Sequence, residues 1–335
     1  MASDRRLREA VRLDGPGIPE VPRPRVRVVG CGGAGGNSVD RLHRLGLHES
    51  AETLAVNTDA RHLGTIQAHR KILLGPTLTK GLGAGGLPEI GQKAAELSEE
   101  EIGQHLEGSD LVFLTVGLGG GTGSGAAPHV ARIAQEAGAI VVSIATLPFR
   151  SERARSRLAQ TWARQLRKHS DTAILLDNNR LLELAPDLPL EHAFAVMDHL
   201  TCEIVRNVTD TLAVPDLINI DFADLRAVLG LGGGSTILCG EGSARDPRGV
   251  VASALENPLM DVDTKGAKGA LVHIASGPST SLRSVHTILE GITANLREDA
   301  TVICGTRIAR ELEGCARVMT ITTGGPVPDE DISVA

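Results

Sequence analysis

Residues 117–125 read GLGGGTGSG, and six of these nine are glycine. The run before it, LVFLTV at 111–116, has strand character, and AAPHVARIAQEAG after it has the apolar spacing of a helix. A stretch this poor in side chains adds little to a core, so its backbone must be the part that is used. Between a strand and a helix it can wrap successive phosphates in N–H groups, with Thr122 and Ser124 adding hydroxyl donors. A second cluster, Gly30-Cys31-Gly32-Gly33-Ala34-Gly35, has the same setting, after a strand pattern at 25–29 and before the amphipathic NSVDRLHRLGL. It fits GxGxxG, whose glycines let a pyrophosphate approach the backbone at a helix N-terminus. No GxxxxGK[ST] occurs, which excludes the lysine-bearing phosphate loop.

Around these clusters, strand patterns at 25–29, 53–56, 71–75, 111–116, 139–147 and 172–177 alternate with helix patterns at 37–47, 88–106, 126–138 and 152–169. That alternation predicts an α/β fold with a doubly wound parallel sheet. One long helical pattern follows at 189–213. Beyond Pro215, shorter strands (236–242, 269–277, 301–308, 317–325) mix with helices at 250–259 and 284–296, as in a smaller α+β domain. The expected organisation is a flexible arm at 1–24, a nucleotide-binding domain at 25–188, the central helix, an α+β domain at 214–325 and an acidic tail at 326–335. With 335 residues the chain can bury a core in each domain.

Composition removes several functions. Lys and Arg total 34 against 41 Asp and Glu, a net charge of −7, which argues against a nucleic-acid binder. Tyr is absent and the aromatics are Phe113, Phe149, Phe194, Phe222 and Trp162, too few for a base-stacking platform. No apolar run approaches the roughly 18 residues of a membrane span, and the charged start lacks a signal core. The chain therefore reads as cytoplasmic, without direct membrane insertion. Cys31, Cys202, Cys239, Cys304 and Cys315 form no CxxC pair and meet no His cluster, so no metal site is expected. They read as small apolar residues in a reducing compartment.

The first cluster alone, with Asp59 closing the next strand as a ribose-binding acid, would suit an NAD-dependent oxidoreductase. That reading leaves the second cluster unexplained and offers no hydride-transfer site. Further along, Asn219-Ile-Asp221-Phe-Ala-Asp224 places two carboxylates three residues apart at the start of a helix pattern. Taken alone, Asp221 is an N-cap and Asp224 a first-turn acid that favours the helix dipole.

GLGGGTGSGAAP is similar to the glycine signature of the tubulin/FtsZ superfamily. VRVVGCGGAGGNSVDRL, AVNTDARHL, KGLGAGGLPEIG, NNRLLEL and LINIDFADLRAVL resemble FtsZ blocks, in family order from about residue 25 to 324. The resemblance implies a GTPase domain joined by a long central helix to the α+β domain, with GTP or GDP bound and Mg²⁺ at the phosphates. Gly33, Ala34, Gly35, Gly36 and Asn37 would form the first nucleotide loop, with Asn57 and Asp59 beside the nucleotide. Gly83, Ala84 and Gly85 would face the terminal phosphate, and Gly120, Gly121, Thr122, Gly123 and Ser124 would cradle phosphates. Glu152 matches a ribose-contacting acid. The Arg expected soon after it falls on Ser156 by direct counting, with Arg155 and Arg157 on either side.

Asn178, Phe194 and Asp198 match the guanine-contacting set, Phe194 stacking on the base. Gly36 and Leu87 stand where the family usually has Asn. Asn219, Asp221 and Asp224 would complete hydrolysis in the pocket of the next subunit, in a head-to-tail filament acting in cell division. The implied partners are further copies of the chain and division-machinery adaptors, and the implied place is mid-cell. The alternative within the family is a divergent scaffold that binds nucleotide but assembles or hydrolyses weakly. Isothermal titration should give GTP and GDP binding well above ATP and NAD, because adenine presents an acceptor to Asp198 where guanine presents donors. Equal ATP affinity contradicts this reading.

Overall fold

A computed structural model describes residues 24–47, 51–213, 220–256 and 264–325. Residues 1–23 of the arm expected at 1–24, the tail at 326–335 and Asn219 lie outside these residues. Six strands form one sheet: Val26–Cys31 (β1), Ala51–Asn57 (β2), Arg70–Leu73 (β3), Leu111–Gly117 (β4), Ile140–Leu147 (β5) and Thr172–Asp177 (β6). Their order is β3-β2-β1-β4-β5-β6 and every pairing is parallel. The strands are apolar almost throughout because both faces are covered; residues 111–116 of β4 are all buried.

The first half also holds helices Gly32–Leu45 (α1), Ala60–Thr65 (α2), Pro76–Thr79 (α3), Pro88–Leu97 (α4), Glu99–Leu106 (α5), Gly121–Glu136 (α6), Ala154–Lys168 (α7), Asn178–Leu184 (α8) and Leu190–Ala213 (α9). Side-chain alternation divides the core in two. Val28, Phe113 and Val142 pack on one face with Leu42 of α1 and Ile204 of α9. Val29, Leu114 and Val141 pack on the other with Ile102, Ala131 and Leu166.

After α9 come Phe222–Leu229 (α10), Gly234–Ser243 (β7), Pro247–Leu255 (α11), Gly269–Ser276 (β8), Leu282–Thr293 (α12), Thr301–Ile308 (β9) and Cys315–Gly325 (β10). The second sheet runs β7-β10-β8-β9, with β10 antiparallel to β7 and β8, and β8 parallel to β9. Leu200, Ile204 and Val208 of α9 share a core with Leu225, Ile237 and Met319, which locks the two sheets together. Among the described residues no helix is long and apolar enough to cross a membrane.

The structure departs from the sequence reading in its helix boundaries. The helix expected over 88–106 is two, interrupted at Ser98, whose hydroxyl accepts the Gly75 N–H at 3.0 Å. Glu99, Glu100 and Glu101 then restart the chain as α5, favourably placed for its dipole. The helices expected from 37 and 126 begin at Gly32 and Gly121, so each glycine cluster is partly a first helical turn. The helix expected from 152 begins at Ala154, after a short turn over Arg150–Glu152. Helices α2, α3 and α8 are short and carry no periodic signal; α2 starts because Asp59 caps it.

Helices α4 and α6 approach so closely that a Cβ on Gly125 would overlap the Pro88 carbonyl and stand 2.6 Å from the Gln92 nitrogen. Gly125→Ala should therefore cost about 1–3 kcal/mol in urea denaturation. Gly64→Ala on α2, where a Cβ meets nothing within 4 Å, should change stability by no more than about 1 kcal/mol and in the favourable direction.

Candidate functional site

Strands β1 and β4 are hydrogen-bonded neighbours, with Cys31 opposite Val116, so the clusters that follow them emerge side by side. This is the crevice at the carboxyl ends of the strands, where a doubly wound sheet reverses its winding. The clusters touch: a Cβ on Gly32 would lie 2.8 Å from the Gly123 nitrogen. The turn at 83–87 closes on the same place, since a Cβ on Gly121 would lie 2.8 Å from the Leu87 nitrogen and 2.9 Å from Ala84 Cβ. The end of β2 joins through Thr58, whose Oγ1 is 2.6 Å from Thr122 Oγ1. A Cβ on Gly33, Gly85 or Gly120 would meet nothing within 4 Å. The glycine edge therefore presents bare backbone to open space.

The polar groups at this edge are individually anchored. Asp59 Oδ1 accepts the backbone N–H groups of Arg61 (2.9 Å) and His62 (3.0 Å), and Asn57 Oδ1 accepts that of Asp59 at 3.2 Å. Ser124 is buried and its Oγ accepts the Gly119 N–H at 2.8 Å, which braces the turn. Glu152 Oε1 accepts the Phe149 N–H at 3.0 Å, and Glu152 is ion-paired with Arg155. Arg155 Nε donates to the Gly119 carbonyl at 3.4 Å, so of the three positions 155–157 this guanidinium is joined to the glycine turn. Ser156 and Arg157 follow it on α7.

A second group of side chains flanks the first cluster. Ser38 on α1 donates to Asp198 Oδ1 on α9 at 2.8 Å. Burial pushes the Asp198 carboxyl above the ordinary carboxylate range, opposed by the Ser38 hydrogen bond and the Arg41 charge. Phe194 lies one turn before Asp198, is 44% exposed and stands 6.2 Å from Phe149, ring centre to ring centre. That exposure excludes an ordinary core role. Asn178 opens α8 with its Oδ1 buried and without a hydrogen-bond partner. Such an acceptor costs about 1–3 kcal/mol, which a donor on a bound molecule would recover. The edge therefore combines N–H donors at two helix starts, an exposed aromatic ring, a buried carboxylate acceptor and an unmatched amide oxygen acceptor, a set that fits a nucleotide with a purine base.

Asp221 and Asp224 are elsewhere. Asp221 Oδ1 accepts the Asp224 N–H at 2.7 Å and Asp224 Oδ2 accepts the Asp221 N–H at 3.3 Å, a capping box on α10. Arg226 Nη2 of that helix donates to the Gly138 carbonyl, just past the C-terminal end of α6, and Thr172 at the start of β6 donates to the Leu229 carbonyl. Helix α6 is about 24 Å long at 1.5 Å per residue and its other end is Gly121. The acid pair thus occupies the pole of the sheet opposite the glycine edge. Sequence reasoning did not identify Thr58, Ser38 or His62 at the edge, because their partners are 64, 160 and 25 residues away. Among the described residues no three His, Cys, Asp or Glu are placed to hold a metal ion. A groove of ≈ 870 Å³ behind the edge is lined by Glu99, His129, Arg132 and Trp162. Its His129 and Arg132 are both paired to Glu99, each at 2.9 Å.

Residues 25–186 match the GTPase domain of the Tubulin/FtsZ family, and residues 226–325 match the C-terminal domain of the FtsZ family. The chain is 51% identical over 314 residues to "Cell division protein FtsZ 2" of Methanocaldococcus jannaschii, covering 92% of this chain and 82% of that protein. It is 47% identical over 310 residues to "Cell division protein FtsZ 1" of Pyrococcus furiosus, covering 92% and 82%. A solved structure described as "FtsZ dimer, empty (M. jannaschii)" superposes with a TM-score of 0.84 at 40% identity, over 97% of this chain and 92% of that one. With both halves matched in order and the fold shared throughout, the chain belongs to the tubulin/FtsZ family, on its FtsZ branch of cell-division GTPases.

Proposed function

We propose that the chain binds GTP at the glycine edge and hydrolyses it only where a second copy, stacked head to tail, presents Asp221 and Asp224 to the γ-phosphate. The observation that carries this reading is the separation of the two halves. The backbone cradle stands at one pole of the sheet and the acid pair at the other, about the length of α6 apart. No single copy can bring them together, whereas translating one copy onto the next would, and such a heterologous contact generates an open filament. A solved FtsZ of M. jannaschii described as a dimer gives the same reading support.

In the proposed pocket, the backbone N–H groups left free at the starts of α1 (33–34) and α6 (120–123) and in the turn at 84–85 hold the phosphates, and Thr122 adds its hydroxyl. Gly35, Gly36, Asn37 and Gly83, whose N–H groups are taken by α1 and by the Thr58 carbonyl, shape the wall. Glu152 with Arg155 faces the ribose, Phe194 stacks on the base, and Asn178 and Asp198 read its guanine edge. Mg²⁺ would be held by the phosphates, where it would neutralise charge developing in the transfer. The two acids would orient and deprotonate the attacking water. Asp221 is tied to its cap by the shorter hydrogen bond, so Asp224 is the freer base. Asn219, Gly36 and Ser156 take supporting places. Division-machinery adaptors as partners, a mid-cell location and the domain limits given above belong to the same proposal.

Asp198 makes base recognition pH-dependent in a defined direction. Only its carboxylate accepts the guanine N–H groups, and burial raises its pKa. GDP affinity should therefore be full above that raised pKa and fall as pH drops through it, starting above the usual carboxylate range. The nucleotide-free fold should gain stability over the same window, because protonation there relieves a buried charge. Titrations and melts across pH read both effects, and D198N should remove the step in affinity. An affinity that does not change until the ordinary carboxylate range contradicts the role.

Asp224→Ala decides between catalysis and capping. A shared site predicts unchanged GDP affinity of the monomer and GTP turnover reduced about 10²–10⁴-fold. The variant mixed into parent protein should also poison filament turnover. Capping alone predicts a loss of about 1 kcal/mol in stability and nearly full turnover.

A further inference from the structure

The imidazole of His62 spans two asparagines of the glycine edge that come from different elements. Its Nε2 is 3.1 Å from Asn37 Oδ1 on α1, and its Nδ1 is 3.3 Å from Asn57 Nδ2 at the end of β2. Asn57 is oriented independently, because its Oδ1 accepts the Asp59 N–H and so its amide NH₂ faces the ring. The assigned roles follow: Nδ1 accepts and Nε2 donates. The backbone beneath it is fixed, since the His62 N–H donates to Asp59 Oδ1 at 3.0 Å. Residue 36 lies directly against this seat. A Cβ there would lie 3.3 Å from His62 Cε1 and 3.4 Å from Ile66 Cγ1.

We propose that His62 is a positioning residue of the nucleotide site, holding Asn37 and Asn57 in one fixed arrangement toward the bound nucleotide, with Gly36 as its steric partner. The inference rests on the proposed nucleotide site and adds to it a specific linkage between the first glycine turn and β2. A side chain at 36 would press on the ring, which would have to give by a few tenths of an ångström.

The test compares H62Q, H62F and H62A by GDP titration of the monomer, with thermal melts of each. A glutamine amide carries a donor and an acceptor with the ring's 1,3 relationship, so H62Q should bind GDP within about threefold of the parent. H62F, which fills the space without either function, and H62A should each bind about tenfold more weakly at unchanged Tm, from two lost hydrogen bonds. Gly36→Ala should weaken binding in the parent but not in the H62A background, which is the coupling expected of direct contact. Parent-like binding by H62F, or equal damage in H62Q and H62F, overturns the proposal and leaves a packing role. Should H62F not fold, H62Q against H62A decides the same point. A parent that binds no GDP overturns the nucleotide site itself, and the role of His62 with it, an outcome recognisable because every variant is then equally silent.

Discussion

The contact on which the rest of the site depends is backbone against backbone, where the turn after β1 meets the turn after β4. Parallel pairing of these strands, Cys31 opposite Val116, delivers both turns to the same point in the same direction. A Cβ on Gly32 would strike the Gly123 nitrogen, and one on Gly35 would overlap the Thr115 carbonyl, so side chains at these positions would force the turns apart. Once the turns are in contact, Gly121 leaves room for the 83–87 turn to close over them, and Thr58 and Thr122 tie in β2. Three separate segments thereby meet at one place. A helix N-terminus presents such groups to anions, and here two helices, α1 and α6, begin within the glycine clusters.

The remaining architecture divides the chemistry between two poles. Helix α9 carries Phe194 and Asp198 near its start and packs Ile204 and Val208 into the core that also takes in Leu225 of α10 and Ile237 and Met319 of the second sheet. One continuous apolar cluster therefore connects the Phe194–Asp198 end of α9 to the helix that bears the acid pair. Asp221 and Asp224 cap that helix whether or not they act on a nucleotide. The capping box and the proposed catalytic role are compatible, because a cap fixes a carboxylate in place and catalysis needs it fixed. Between the two poles runs α6, glycine edge at one end and the Arg226 contact at the other.

Much of this was legible in the sequence. The strand LVFLTV and the long helix expected at 189–213 follow from apolar periodicity and the parallel sheet from strand–helix alternation; all are present, the helix over Leu190–Ala213. Helix starts were less legible, because glycine has poor intrinsic helix propensity and masked the fact that Gly121–Gly125 lie within α6. The break at Ser98 depends on a hydrogen bond from Gly75, 23 residues earlier, which no local pattern encodes. The same holds at the site. Asn178, Phe194 and Asp198 carry no motif of their own; they entered through family resemblance, and the structure adds the unmatched amide oxygen, the exposed ring and the buried carboxylate. The Arg ambiguity at 155–157 is narrowed by geometry, since Arg155 bonds the glycine turn. His62 and Thr58 were invisible because each matters only through a tertiary partner.

The central claim is that one copy holds only half of the catalytic site. GTP turnover per subunit, measured as total protein concentration is raised from dilute monomer, tests it most directly. The account predicts turnover per subunit near zero at high dilution, rising steeply as copies associate and levelling off once most nucleotide lies at a junction. Turnover per subunit that stays constant down to concentrations at which only monomer is present would contradict it, and would place the whole reaction within a single chain.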